Sequence, residues 1–126
     1  MNISIPPNIA EHKMRASHTF SKEIMLYGLR PHMHYRGKYM RMSVEFPDGT
    51  LEDLINVPDY NFAWQPTYRL SEPIILPSGS RVIIDGAFDN SIHNLGNPDP
   101  SAWVRGGAQS WDEMFIGYFS YHHTGN

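Results

Sequence analysis

Apolar and polar residues alternate with a period of two along much of this chain, and that period belongs to half-buried β-strands. Over residues 21–34, Ile24 and Leu26 fall on one face and Met25, Tyr27 and Leu29 on the other. Gly37 interrupts the pattern, which then resumes with Met40, Met42, Val44 and Phe46 pointing one way and Tyr39, Arg41, Ser43 and Glu45 the other. Pro47-Asp48-Gly49-Thr50 reads as a tight turn, proline presetting φ and glycine supplying the special backbone angle. A return strand is expected over Leu51–Val57, followed by an aromatic connection over 58–68 that contains Tyr60, Phe62 and Trp64. Pro77-Ser78-Gly79 is a second turn, leading into a strand over Arg81–Phe88 with Val82, Ile84 and Phe88 facing inward. Residues 89–109 are rich in Asn, Pro, Gly and Asp, a stretch long enough for a small domain to suggest function. A last strand is expected from about Glu113 to Tyr121. Helical periodicity is missing throughout. Short strands at regular spacing, with turn signals between them, indicate an all-β antiparallel sandwich or barrel.

Composition supports that picture and narrows the partners. The 126 residues are one domain's worth over 1–126, and with 40% apolar and 13% aromatic residues a real core can be buried. Ten glycines and ten prolines are dispersed rather than bunched, the texture of many turns. A formal charge of −3 with scattered Lys and Arg forms no basic stripe, which argues against nucleic acid as a partner. No apolar run approaches the ~18 residues of a membrane span. The first residues carry neither a basic n-region nor a signal-peptide core. There is no cysteine, so disulfides, thiolate metal sites and cysteine nucleophiles are excluded. Seven histidines and seven methionines are the unusual feature: imidazole with thioether is an inventory suited to copper, although methionine is also ordinary core filler.

The local signal for chemistry is His32-Met33-His34. On a strand, residues i and i+2 project from one face about 6.5–7 Å apart, so the two imidazoles can converge on one ion while Met33 turns into packing. The bland reading is two half-buried polar side chains on an edge strand. Met114 opens the final strand within Trp111-Asp112-Glu113-Met114 and by itself reads as core. His122 and His123 are neighbours that point to opposite faces near a chain end, and are expected to be exposed, as are His12 and His18. His93, in the long polar segment, is a candidate peripheral ligand. Asp112 and Glu113 are adjacent rather than face-sharing and make a poor acid/base couple. Phosphate loops, nucleophile elbows and helical His-Glu-x-x-His motifs are not found.

Taken together, Arg30-Pro31-His32-Met33-His34-Tyr35-Arg36-Gly37-Lys38, the downstream Asp112-Glu113-Met114 and the aromatic Tyr118-Phe119-Ser120-Tyr121 resemble the C-terminal domain of the copper type II, ascorbate-dependent monooxygenases. That family includes peptidylglycine α-hydroxylating monooxygenase and dopamine β-monooxygenase. The resemblance spans nearly the whole chain, since Ile5-Pro6-Pro7 is similar to the start of that domain. It extends to a bacterial branch, in which such domains are appended to larger exported proteins such as cytochrome c-like ones. That branch carries segments similar to Phe88-Asp89-Asn90-Ser91 and Asn97-Pro98-Asp99-Pro100. The resemblance implies a jelly-roll-like β-sandwich, a periplasmic or extracellular setting, and one copper ion, cycling between Cu(I) and Cu(II), held by His32, His34 and Met114. It also implies ascorbate as reductant and a small-molecule substrate whose carboxylate meets Arg30, with Tyr118 in the same cluster. The donor chemistry agrees: imidazoles suit both copper states and a thioether favours the soft Cu(I).

The departures are equally specific. No preceding domain with a second, three-histidine copper is present in these 126 residues, Ile116 stands where the family has an asparagine, and Phe115 stands at one of the family's cysteine places. Three functions are consistent with the sequence. The chain is a copper monooxygenase domain needing an electron-donor partner (a second copper domain or a cytochrome), or a copper-binding module without turnover for storage, sensing or cohesion. The third is a metal-free sandwich whose Trp64, Trp103 and Trp111 serve a carbohydrate or protein partner.

Overall fold

Nine β-strands and, among the described residues, no helix make up the structure, a computed structural model that describes residues 2–125. In chain order these are β1 (Ser4–Ile5), β2 (His12–Thr19), β3 (Ile24–His32), β4 (Gly37–Glu45), β5 (Leu51–Val57), β6 (Tyr68–Leu76), β7 (Arg81–Phe88), β8 (Val104–Arg105) and β9 (Ile116–His123). They form a four-stranded sheet in the order β2-β7-β4-β5, a three-stranded sheet β6-β3-β9, and the short pair β1-β8, with every strand pairing antiparallel. The pairs β1-β8, β2-β7, β3-β6 and β4-β5 are nested, as when one long hairpin is rolled into two layers. The all-β, jelly-roll-like sandwich expected from the sequence is the fold observed.

The core fills the space between the two larger sheets. Ile24, Leu26 and Leu29 of one sheet face Met40, Met42, Val44, Val82 and Phe88 of the other, all fully buried. The turn at Pro47 forms as its residues dictate: Gly49 sits at φ 89°, its N–H bonds the Phe46 carbonyl at 2.8 Å, and the Asp48 carboxylate takes the Thr50 N–H at 2.9 Å.

Three features differ from the sequence expectation. Strands β2 and β6 had no clear apolar alternation; both lie at sheet edges, where one face and one side of the ladder can stay wet. Pro73 is tolerated in β6 for the same reason. Leu29, expected on the face of Met25 and Tyr27, is instead in the core beside Leu26. A bulge between Leu26 and Gly28, visible in the pairing of β3 with both neighbours, takes Tyr27 out of register and inverts the alternation after it. Finally, β9 runs from Ile116 to His123 rather than from Glu113 to Tyr121, so His122 and His123 are ordered in the ladder opposite Met25 and Ile24, though exposed as expected. No helix among the described residues is long and apolar enough to cross a membrane.

Candidate metal centre

The bulge decides which way the end of β3 points. With Leu29 and Pro31 turned inward and buried, Arg30 and His32 share the outer face of the three-stranded sheet. Pro31 sits in a central strand without breaking it, because the β6 ladder has already stopped at Leu29. Across β9, Arg30 pairs with Tyr118 and His32 with Ile116. Just before β9 the burial alternates, with Glu113 and Phe115 buried and Met114 and Ile116 only half-buried. Met114 and Ile116 therefore lie on the same side of the chain, beside the end of β3 where the histidines leave it.

Beyond β3 the chain turns, the Gly37 N–H closing on the His34 carbonyl at 3.1 Å. Met33 is fully buried as expected, and Tyr60 clamps it: the Tyr60 hydroxyl donates to the Met33 carbonyl at 2.6 Å and accepts the Met33 N–H at 2.9 Å. Burial pushes that phenol up to about 12. Gly37 is required beside it, since a Cβ there would lie 2.5 Å from the Tyr60 ring. His34 is only 4% exposed, and its ring centroid is 5.1 Å from that of His32. The His34 ring contacts the chain directly ahead of Met114, with Nδ1 3.0 Å from the Asp112 carbonyl oxygen. His32 Nδ1 is 2.6 Å from Gln65 Oε1. A carbonyl oxygen only accepts, so the neutral His34 ring carries its proton on Nδ1 and keeps its Nε2 lone pair free.

The residue that sequence reasoning missed is Glu113. It is wholly buried, and its carboxylate accepts the backbone N–H of His34 and of Arg36, each at 2.9 Å. The Arg36 guanidinium, also buried, lies 3.5 Å from it. Arg36 further donates to the Trp111 carbonyl at 2.8 Å and to Asn90 Oδ1 at 3.3 Å. The Asn90 amide donates to the carbonyls of Pro6 and Ala102. One buried polar network thus ties the histidine segment, the approach to Met114, the N-terminal strand and the long 89–103 segment together. Burial pushes the Glu113 carboxyl up from its usual range, while the N–H groups and the Arg36 charge pull it down. The signal available in the sequence was only an acidic residue beside a candidate ligand.

The remaining sequence candidates separate clearly. Arg30 places its guanidinium carbon 5.7 Å from the Tyr118 ring centroid, and its buried Nε has no hydrogen-bond partner. The Tyr118 and His32 rings are 6.1 Å apart, so Arg30, His32 and Tyr118 form one cluster. His93 is exposed in a turn, its N–H bonded to Ser91, and among the described residues no contact joins its ring to His32 or His34. A cleft of about 690 Å³ opens beside Met114 and Ile116 and is lined also by Ile3 and Arg105. Among the described residues no three His, Cys, Asp or Glu side chains gather at one point; the candidate set contains only two of these, its third donor being a thioether. The chain matches no known protein-family model and no curated protein.

Burial lowers the His32 pKa below the ordinary histidine value, more than the Gln65 bond raises it. In the metal-free protein an NMR titration of His32 is expected to show its midpoint below about 6.5. The unfolded chain then holds that proton more readily than the folded one. His32 therefore makes the fold lose stability as pH falls from the ordinary value through the depressed one. A midpoint above the ordinary value would contradict the sign.

Proposed function

We propose that this domain binds one copper ion through His32, His34 and Met114 and serves as the oxygen-side half of an ascorbate-dependent copper monooxygenase. The observation that carries the reading is the joint engagement of both imidazoles through Nδ1. Acceptor oxygens from two distant segments flank rings whose centroids are 5.1 Å apart, and one of these acceptors, the Asp112 carbonyl, lies two residues ahead of Met114. Metal-binding histidines are oriented in this way by a partner on the second nitrogen. Two imidazoles and a thioether suit copper and serve zinc poorly. Copper held there would supply one-electron redox chemistry and activate dioxygen. The protein's own part is to hold the imidazoles in one tautomer, to keep Met114 at the edge of an open cleft, and to offer Arg30 to an anionic substrate group. The unpartnered Nε of Arg30, steadied by the face of Tyr118, supports that last role.

Hydroxylation consumes two electrons and a single copper stores one. The domain therefore acts with an electron donor, a second copper domain or a cytochrome, with ascorbate as the source of electrons, in a periplasmic or extracellular setting. Copper titration tests the reading: one equivalent of Cu(I) is expected per chain, and His32→Ala combined with His34→Ala should abolish it. Two equivalents, or binding that survives the double substitution, would overturn it. The lone chain is expected to oxidise ascorbate slowly and without coupled product. With a donor domain added, Arg30→Ala should raise KM for a carboxylate-bearing substrate at unchanged copper affinity. Clean coupled hydroxylation by the chain alone would show that no partner is needed.

One observation favours a different reading. Trp64, Trp103 and Trp111 are 71%, 63% and 62% exposed, as in a metal-free module that docks a carbohydrate or protein. Failure to take up copper would leave that reading in place.

A further inference from the structure

The two imidazoles are oriented by different means, and the difference has chemical content. His34 leans on a backbone carbonyl, which no side-chain substitution removes. His32 leans on the side chain of Gln65, contributed by the connection between β5 and β6. An amide side chain can present either its oxygen or its nitrogen, so a glutamine alone does not settle where the imidazole proton sits. Here the choice is made one step further back. The Gln65 nitrogen donates to the Phe62 carbonyl at 2.7 Å, and a carbonyl only accepts. The Gln65 NH₂ is therefore committed to Phe62, its Oε1 faces His32 at 2.6 Å, and the proton between them belongs to Nδ1 of His32. Phe62, whose carbonyl anchors this relay, also packs its ring edge-on against His34 at 5.7 Å.

We propose that Gln65 is the positioning residue of the copper site: it selects the Nδ1–H tautomer of His32 and so reserves Nε2 for the metal. This rests on the copper reading above. A free imidazole in water favours the opposite tautomer, with the proton on Nε2, so removing the acceptor should release His32 to that form and make the metal compete with a proton. Losing an outer partner of this kind costs about 10–100-fold in metal affinity.

The test uses the 126-residue chain in three forms: wild type, Gln65→Leu, which keeps the bulk but accepts no hydrogen bond, and Gln65→Glu, which accepts one without the amide. The first readout needs no metal: long-range ¹H–¹⁵N spectra of the imidazoles, with the rings neutral, report the tautomer of His32. The wild type and Gln65→Glu are expected to show Nδ1–H, and Gln65→Leu predominantly Nε2–H, with His34 unchanged in all three. The second readout is Cu(I) affinity by competition with a chromophoric chelator: a loss of about 10–100-fold for Gln65→Leu, and near wild-type affinity for Gln65→Glu. The unchanged His34 signal separates a positioning effect from a general loss of structure. Wild-type tautomer and affinity in Gln65→Leu would overturn the proposal, as would an equal loss in both variants. A wild-type chain that takes up no Cu(I) would sink the copper reading instead, and the metal-free spectra would still decide for or against Gln65.

Discussion

Replacing Glu113 with alanine is expected to lower the unfolding free energy by about 3–5 kcal/mol, the usual consequence of removing one member of a buried ion pair. The carboxylate is wholly enclosed, and its two oxygens satisfy the backbone N–H groups of His34 and Arg36, each at 2.9 Å. Alanine leaves both N–H groups without their acceptor, beside the buried charge of Arg36, a residue only 2% exposed. Since a domain of this kind is stable by only about 5–15 kcal/mol in total, the variant should sit close to the threshold of folding. Urea denaturation is the measurement: the midpoint should fall with the slope unchanged. Glu113→Gln keeps the shape and one acceptor, and should fall between the wild type and Glu113→Ala. A loss below about 1 kcal/mol for Glu113→Ala would mean that the network is not what holds the histidine segment down.

The second large effect concerns Met114. Met114→Ala is expected to weaken Cu(I) binding by more than the about 10–100-fold that follows loss of an outer hydrogen-bond partner, and to weaken Cu(II) binding far less. A thioether is a soft donor that discriminates between the two oxidation states, whereas the imidazoles serve both. Met114 is only half-buried at the edge of a cleft, so its truncation leaves little cavity and should change stability much less than Glu113→Ala does. Parallel titrations with Cu(I) and Cu(II), read beside a denaturation curve, separate a ligand from core filler. Equal losses in both oxidation states, or a large loss of stability with no change in copper affinity, would assign Met114 to packing.

Much of the fold was legible because strand alternation is a local property. Met40, Met42 and Val44 announce β4 and its inner face without reference to any other strand, and Val82, Ile84 and Phe88 do the same for β7. The edge strands were not legible. In β2, His12, Lys13, Arg15 and His18 dilute the apolar positions Met14 and Ala16. In β6, Glu72 and Pro73 interrupt the run. An edge strand needs only a few buried side chains, so its pattern is weak by construction.

The sequence by itself determined the strands with clear alternation, β4 and β7 above all, the turns at Pro47 and Pro77, and the chemical types on offer: a His-x-His pair, a distant methionine, and no thiol. Only the tertiary structure decided how the histidines are oriented and what surrounds them. The bulge after Leu26 sets which face Arg30 and His32 occupy, and it arises from pairing with strands on both sides at once. His34 lies past the end of its strand, so no periodicity governs its ring; contacts with Asp112 and Glu113, nearly eighty positions away, place it. Nothing local in the sequence announces that Glu113 is buried or that Gln65 faces an imidazole. A buried carboxylate is stable only where N–H donors and a cation are supplied to it, and a glutamine orients an imidazole only where a third group has already fixed its amide. Those partners are brought together by the long-range antiparallel ladder, and proximity of that kind is not written in any single stretch of chain.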